Sequence, residues 1–254
     1  MPLTLSVAII TKNEEENLPR TLASVRWADE IVVVDDGSTD RTPEIAREFG
    51  AKFFVEEWKG FGAQKNSAIA KCSGDWVLSL DADEEVSAEL AQEIRALLAD
   101  QPQQHAYFLP RRNFFLGRWI RHGGYYPDPK LRLFRRGSAQ FTESAVHETI
   151  RPAGPAARLR GDLIHHAYPT LDAYIEHMNR YSALGATQAL ARGKTSRSIF
   201  AFLWNVVVVP IATFKYNYFL RLGFLDGREG LLLHLYHSVY VSWKYAKAWE
   251  LGRS

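Results

Sequence analysis

The sequence predicts an α/β fold in which helices flank a mostly parallel sheet and a helical extension follows at the C-terminus. Over the first hundred residues, short apolar runs alternate with segments of helical periodicity, which is the pattern of consecutive β-α-β crossovers. Two of these runs, Ile31–Val34 and Trp76–Leu80, end directly in acidic clusters. From Gly193 onward the chain becomes basic, aromatic and apolar, which predicts the extension.

The alternation assigns the elements in chain order. Apolar or β-branched runs predict strands, and apolar residues at helical spacing, such as Leu90, Ile94 and Leu97, predict helices. After Tyr107 the runs become shorter, and Gly and Pro interrupt the loops. The predicted strands are Leu3–Ile10, Ile31–Val34, Ala51–Val55, Trp76–Leu80, Tyr107–Pro110, Leu131–Phe134 and Leu163–His166, and the predicted helices are Glu14–Val25, Thr42–Phe49, Ala63–Ala70, Ser87–Leu98, Leu171–Ala191 and Leu231–Trp249.

Composition excludes several classes of protein. The chain has 254 residues, 46% of them hydrophobic, which suits a large buried core and is too apolar for a disordered chain. Lys and Arg number 31 against 29 Asp and Glu, so the whole chain has no strong field for nucleic acid. The single cysteine, Cys72, excludes an internal disulfide and indicates a reducing compartment. The N-terminus shows no basic signal-peptide region, and we expect a cytosolic protein.

The C-terminal extension, residues 193–254, predicts contact with a membrane surface. It carries eight Lys or Arg residues and three Asp or Glu residues, while residues 1–192, the predicted first domain, have a net charge of −3. The apolar run Ile199–Phe214 is 16 residues long, which is shorter than the roughly 20 residues that span a bilayer. We therefore expect peripheral association with an anionic membrane, with packing in the core as the alternative.

The segment Asp81-Ala82-Asp83 is the sharpest candidate site. Two carboxylates separated by one residue, at the end of an apolar strand, are hard oxygen ligands that suit Mg²⁺ or Mn²⁺ on a phosphate. The alternative is an acidic N-terminus for the helix near Ser87, where Asp83, Glu84 and Glu85 favour the helix dipole.

Further candidates lie at the same expected edge of the sheet, where ligands bind to parallel sheets. Asp35 and Asp36 follow a neighbouring strand, and turn and capping chemistry is their alternative role. Thr11 and Asn13 follow the first strand and either contact a base or sugar or cap a helix. Lys65 places a cation in a glycine-containing segment before a helix, where a phosphate binds, or is a solvated surface lysine.

These motifs, in this order, resemble the inverting family 2 glycosyltransferases with a GT-A fold. Over residues 4–100 the resemblance is carried by Thr11–Glu14, Asp35–Asp40, Gly62–Asn66 and Asp81–Asp83. In the second half, Val146–Glu148, Ile164–His166 and Gly223–Gly230 are similar to the branch of lipopolysaccharide core β-1,4-glucosyltransferases. The resemblance implies a Rossmann-like sheet, a UDP-sugar donor and a divalent Mg or Mn cofactor.

The resemblance also implies roles for individual residues. Asp35 or Asp36 holds the uracil or ribose of the donor, Asp81 lies near the ribose, and Asp83 binds the metal on the diphosphate. Arginine suits phosphate recognition because of its fork geometry, and Arg132 joins the set on that ground, with a solvated strand edge as the alternative. The expected donor-binding residues are Thr11, Asn13, Glu14, Asp35, Asp36, Lys65, Asp81 and Arg132.

The sequence departs from the acidic pair that many family members carry as catalytic base. An inverting displacement needs one carboxylate near the acceptor hydroxyl, and Glu148 is the best substitute, with Glu143 a weaker competitor. His147 is expected as a metal ligand or as the residue that orients Glu148. His166, in the pair His165-His166, is expected as a metal ligand or diphosphate contact, with a core histidine as the alternative. For His147-Glu148 the alternative is a buried polar pair at a strand end.

The expected function is therefore metal-dependent, inverting transfer of a hexose, glucose from UDP-glucose, to a lipid-anchored glycan such as the lipopolysaccharide inner core. The expected location is the cytosolic face of the inner membrane. One alternative is sugar transfer to polyprenyl phosphate, and another is a catalytically silent nucleotide-sugar-binding scaffold. The complete set of acidic motifs argues against the scaffold, and no nucleic-acid-binding module is recognisable.

Overall fold

The computed structural model describes residues 2–142, 150–193, 196 and 198–253. The chain divides into two units, of which the first comprises residues 1–111 and 128–165 and the second residues 112–127 and 166–254. The sequence places a domain boundary between residues 192 and 193, and that boundary stays a prediction.

The predicted strands and helices are present, with boundaries that shift by a few residues, and the described residues form six further short strands that the sequence did not predict. The strands are β1 (Leu5–Thr11), β2 (Glu30–Asp35), β3 (Lys52–Val55), β4 (Trp76–Asp81), β5 (Glu84–Val86), β6 (Ala106–Leu109), β7 (Arg111–Phe115), β8 (Arg118–Trp119), β9 (Lys130–Arg135), β10 (Ala139–Phe141), β11 (Ile150–Pro152), β12 (Ala156–Arg158) and β13 (Leu163–Tyr168). The α-helices are α1 (Leu18–Ser24), α2 (Thr42–Glu48), α3 (Phe61–Ala70), α4 (Ala88–Ala99), α5 (Leu171–Ala191), α6 (Ile199–Leu203), α7 (Val209–Lys215) and α8 (Gly227–Leu251).

A seven-stranded sheet forms the centre of the first unit. Its strand order is β12-β6-β9-β4-β1-β2-β3, and the four strands from β4 to β3 run parallel. Strand β9 is antiparallel to both of its neighbours, and β12 is parallel to β6. The predicted α/β class with a mostly parallel sheet is thus confirmed.

Helices cover both faces of this sheet, because alternate residues of a strand point to opposite sides. On one face, Val7 and Ile9 of β1 belong to a buried cluster that includes Leu22 of α1 and Ile94 of α4. On the other face, Ala8 packs in a second cluster with residues that include Ala68 of α3. The near-continuous apolar runs of the central strands are what burial on both faces requires.

One carboxylate joins three strands and the loop before β4 at the end of the sheet opposite the acidic clusters. Glu30, at the start of β2, accepts hydrogen bonds from the Ser6 hydroxyl, from Lys52 Nζ at 2.5 Å and from the Ser73 backbone N–H at 2.7 Å. Burial alone would raise the pKa of Glu30, but these hydrogen bonds outweigh it and lower the pKa to about 2. The glutamate is therefore ionised at neutral pH, and its hydrogen bonds hold these segments together.

The acidic segment after β4 does not form the first turn of a helix. Glu84 and Glu85 lie in the short strand β5, which pairs with β13, and α4 begins only after Ser87. The Ser87 side chain caps α4 by accepting the backbone N–H of Leu90. The alternative interpretation of Asp83, Glu84 and Glu85 as helix-dipole residues is therefore wrong, because Asp83 lies in a turn and Glu84 and Glu85 lie in a strand.

The second unit is mainly helical. Helices α5 and α8 pack against each other, and Thr170 caps α5 through the backbone N–H of Ala173. The buried Asp226 accepts the backbone N–H groups of Arg121 and His122, and its carboxylate lies 3.0 Å from the His122 ring. Asp226, in the Gly223–Gly230 segment, thereby anchors the loop that follows β8.

One helical segment of this unit is longer than the sequence predicts. Residues Ile199–Leu220, here named the outer helix, run through α6 and α7 and two π-helical turns without a break. With 22 residues, it is the one helix in the described parts of the chain that is long and apolar enough to cross a membrane. The prediction of a 16-residue run too short to span was wrong, because the helix continues past Phe214 through Lys215 and the π-helical turn Tyr216–Leu220.

Candidate active site

Three predicted motifs meet at one edge of the central sheet. Strands β4, β1 and β2 are adjacent and parallel, so their carboxyl ends emerge side by side. In the register, Thr11 lies opposite Asp35, and Ile10 lies opposite Asp81. The topology therefore brings Thr11, Asp35 and Asp81 to the edge where parallel sheets bind ligands.

Asp81 is the centre of a buried cluster of charges. Its two carboxylate oxygens lie 2.7 Å from Lys65 Nζ and 2.5 Å from Arg132 Nη2, and both cationic side chains are buried. Burial alone would raise the pKa of Asp81, but the charges of Arg132 and Lys65 hold it well below its usual range. The two cations converge on the Asp81 carboxylate, which keeps Asp81 ionised and fixes all three side chains at this edge.

Glu84 extends this cluster and was not predicted as a site residue. Its fully buried carboxylate accepts from Arg132 Nη2 at 2.8 Å, from Arg111 Nη1 at 3.0 Å and from the Asp81 backbone N–H at 3.0 Å. Arg111 in turn reaches Asp128 at 2.7 Å. Glu84 directly follows Asp81-Ala82-Asp83, so the extra acidic residue after the motif was the signal that could have identified it.

We expect Glu84→Gln to destabilise the protein by about 3–5 kcal/mol, because it leaves two buried guanidinium groups without their shared carboxylate. The measurement is the Tm of the full chain by calorimetry. The exposed Glu57→Gln is the matched control and should melt like the wild type. A Glu84→Gln variant with an unchanged Tm would show that the cluster does not hold this edge together.

Asp83 is the carboxylate best placed for a metal. It lies 3.2 Å from Nε2 of His165; burial would raise the pKa of Asp83, but the charge of His165 and its hydrogen bond outweigh burial and lower it. The neighbouring His166, expected as a ligand, instead stacks on Phe114 at 5.4 Å, because consecutive strand residues point to opposite faces. The structure thus brings His165 to Asp83.

The set of side chains that can bind a metal is small, but it fits a Mg²⁺ or Mn²⁺ ion that is held mainly by a substrate. Within the described ranges, no group of three or more His, Cys, Asp and Glu side chains is arranged to hold a metal. Magnesium commonly takes one or two carboxylates from the protein and its other ligands from phosphates and water. Asp83 supplies such a carboxylate, whereas both oxygens of Asp81 already contact cations.

The residues that follow β1 and β2 hold one another in place. Asp35 accepts the Ser38 backbone N–H at 2.7 Å, which is the turn chemistry that was its alternative role. Asp36 pairs with Lys12 at 2.6 Å, and Asn13 Oδ1 accepts the Thr39 backbone N–H at 2.9 Å. These contacts hold the segment after β1 and the segment after β2 together.

Glu14 belongs to the same edge. Burial raises its pKa; a hydrogen bond from Asn17 acts in the opposite direction, and the nearby charge of Asp83 raises the pKa further. Glu14 is therefore within electrostatic range of the acidic segment after β4, as the prediction of a shared site requires.

Several buried polar atoms around this edge make no hydrogen bond within the described part of the chain. They are Thr11 Oγ1, Arg132 Nε, and both amide atoms of Gln64, which neighbours Lys65. A buried polar group without a partner costs roughly 1–3 kcal/mol, so these atoms are open to a polar ligand. Gln64 was not predicted as a site residue, although it lies within the Gly62–Asn66 motif.

The predicted catalytic base lies outside the described residues. Glu148, His147 and the competing Glu143 all fall in the range 143–149, and their roles stay predictions.

The sequence profile described as glycosyl transferase family 2 matches residues 6–163. The lipopolysaccharide core biosynthesis glycosyltransferase LpsC of Rhizobium meliloti (strain 1021) is 35% identical over 237 residues, which cover 89% of this chain and 82% of that protein. An uncharacterized glycosyltransferase of Rickettsia typhi is 31% identical over 98% of this chain and 87% of its own length.

A solved structure supports the fold. The mannosyltransferase PcManGT of Pyrobaculum calidifontis, in complex with GDP-Man and Mn²⁺, superposes with a TM-score of 0.55 at 16% identity, over 98% of this chain and 87% of that one. At this identity the likeness concerns the arrangement of the backbone.

Proposed function

Because the chain belongs to glycosyl transferase family 2 and is a nucleotide-sugar-dependent glycosyltransferase with a GT-A fold, we propose that it transfers a hexose, glucose from UDP-glucose, to a lipid-anchored glycan. The observation that carries the proposal is the pair of buried cations, Lys65 and Arg132, beside Asp81 and Asp83 at the carboxyl edge of the sheet. The product is a glycan extended by one sugar with inverted configuration at the anomeric carbon.

In this proposal the sheet edge binds the nucleotide diphosphate part of the donor. Lys65 and Arg132 contact the diphosphate, whose negative charge increases as the bond to the sugar breaks. Thr11, Asn13, Glu14 and the Asp35-Asp36 pair hold the nucleoside. The unpaired buried atoms of Thr11 and Arg132 support this role, since a polar ligand satisfies them.

Asp83 would hold a divalent cation on the diphosphate, with His165 fixing the orientation of its carboxylate. When bound, Mg²⁺ or Mn²⁺ neutralises charge on the leaving nucleoside diphosphate. The Mn²⁺ in the PcManGT complex supports this part of the proposal. His147 remains a candidate for a further ligand.

The acceptor proposed is the lipopolysaccharide inner core, reached at the cytosolic face of the inner membrane. The LpsC relative supports the acceptor class. Charge supports the location, because the second unit has thirteen Lys and Arg and five Asp and Glu residues, a net charge of +8, against −6 for the first unit. A basic surface is attracted to anionic lipid head groups.

The donor is tested by the thermal stability of the full chain with UDP-glucose, UDP-GlcNAc or GDP-mannose, each with Mn²⁺ or with EDTA. A ligand that binds only the folded state raises the Tm by mass action. We expect UDP-glucose with Mn²⁺ to give the largest rise and EDTA to remove it. A larger rise with GDP-mannose would overturn the glucose assignment, and no rise with any donor would favour the silent scaffold.

A further inference from the structure

The outer helix turns its apolar side away from the protein. Its exposed residues occur as adjacent pairs that repeat every four positions, so they form one stripe along the helix. Eleven of the twelve are apolar or aromatic, and Phe200 is 83% exposed and Leu220 75% exposed. The stripe consists of Ile199, Phe200, Leu203, Trp204, Val207, Val208, Ile211, Ala212, Lys215, Tyr216, Phe219 and Leu220.

The polar side chains of the outer helix, apart from Lys215, lie on its less exposed side. Asn205, Thr213 and Asn217 all fall between the exposed pairs, and Asn205 Nδ2 donates to Ser196 Oγ at 2.9 Å. A helix on a water-facing surface has the opposite arrangement, with its apolar stripe toward the core. An outward apolar stripe of this length marks a surface that another apolar phase or molecule covers.

Packing against α8 determines how the outer helix can meet a bilayer. The two helices are antiparallel: Phe202 packs on Trp249, the Ser242 hydroxyl donates to the Val206 carbonyl at 2.8 Å, and Tyr218 approaches His234. Helix α8 carries Arg228 and Glu229 near its start and Lys244, Lys247 and Glu250 near its end, and α5, which packs on α8, carries Asp172, Glu176 and Arg180. An outer helix that crossed the bilayer would draw these packed helices and their charges toward the hydrocarbon, which is costly. The packing therefore favours a helix that lies in the plane of the membrane surface.

The charge around the stripe identifies the kind of membrane. Between Glu176 and Asp226 the sequence has six Lys and Arg residues and no Asp or Glu. Lys215 lies within the stripe, and Arg221 follows directly after its end. Basic groups beside an apolar face are the combination that binds anionic lipid surfaces.

We propose that the outer helix inserts its apolar stripe, parallel to the membrane plane, into the surface of an anionic phospholipid bilayer, while Lys215 and Arg221 contact lipid phosphates. The inference rests on the membrane location in the proposed function and names the surface responsible. It is independent of the donor chemistry, because the stripe and its partners belong to the second unit alone.

The test is co-sedimentation of the full chain with vesicles of phosphatidylethanolamine and phosphatidylglycerol. We expect binding that weakens with salt and is at least tenfold weaker on pure phosphatidylcholine. The triple variant Phe200→Ser, Trp204→Ser, Leu220→Ser should bind at least tenfold more weakly than the wild type. The matched control is Val55→Ser with Trp58→Ser, which removes exposed apolar side chains of the first unit and should bind normally.

A second measurement does not depend on the triple variant folding. Brominated lipid should quench part of the tryptophan fluorescence of the wild type, and Trp204→Phe should remove that part. Absence of vesicle binding by a chain that still shows the donor-induced rise in Tm would overturn the inference together with the proposed membrane location, and would leave the proposed sugar transfer standing. Vesicle binding without any donor response would overturn the proposed function alone.

Two further outcomes would contradict the proposal. If light scattering shows a dimer that the triple variant converts to a monomer, and vesicles do not bind, a second copy covers the stripe. If the chain stays in membranes after extraction at high pH, the outer helix spans the bilayer and the in-plane arrangement is wrong.

Discussion

Asp83→Asn should lower kcat for sugar transfer by about 10²–10³-fold, because it removes the carboxylate that is proposed to hold the cation on the leaving diphosphate. The substitution keeps the size of the side chain and its ability to accept a hydrogen bond from His165, so the fold should persist. The measurement is transfer from UDP-glucose under saturating Mn²⁺, together with the Mn²⁺-dependent rise in Tm. The transfer activity and the Mn²⁺-dependent rise in Tm should decrease together.

The exposed Asp100→Asn, at the C-terminus of α4, is the matched control and should behave like the wild type. Full activity of Asp83→Asn would remove Asp83 from metal binding. Lost activity with a normal Mn²⁺-dependent rise in Tm would show that Asp83 acts after donor binding.

Glu148→Gln should lower kcat by about 10²–10⁴-fold while leaving donor binding intact. The reason is that general-base catalysis on the acceptor hydroxyl requires an ionisable carboxylate, which glutamine lacks. The measurement is kcat for transfer to a lipopolysaccharide acceptor, with the donor-induced rise in Tm as evidence of an intact donor site.

The competing candidate supplies the control for this prediction. Glu143→Gln should retain most activity, and the reverse result would assign the base to Glu143. Retention of activity by Glu148→Gln with polyprenyl phosphate, but not with lipopolysaccharide, would favour the alternative acceptor, because a phosphate acceptor already carries the charge that the base must create.

Local sequence patterns were sufficient to predict the site residues that lie at strand ends. Asp35 and Asp81 each follow an apolar run that predicts a buried strand, Asp83 comes two residues after Asp81, and the carboxyl ends of neighbouring parallel strands emerge at the same edge. The register of β1 with β2 and β4 confirms this placement. No pattern within one element could predict that Arg132 and Lys65 share Asp81, because Arg132 is 51 residues away on an antiparallel strand.

The sequence also could not show which of two neighbouring residues takes part in the site; the tertiary structure was needed for that. The sequence pair His165-His166 does not say which imidazole faces Asp83; the pairing of β13 with β5 places His165 opposite Glu84 and thereby decides it. In the same way, Glu84 resembles a helix-terminus residue in the sequence, and only its burial between two arginines shows its role.

The sequence by itself determined the α/β class, the family resemblance and the order of motifs, because these depend on periodicity and on residues close together in the chain. The tertiary structure decided which charges pair and which side of the outer helix is exposed. Both depend on contacts between distant elements: the stripe from Ile199 to Leu220 faces outward because α8 packs on its opposite side. Amino-acid composition alone does not distinguish a helix that is buried in a core from one that contacts a membrane.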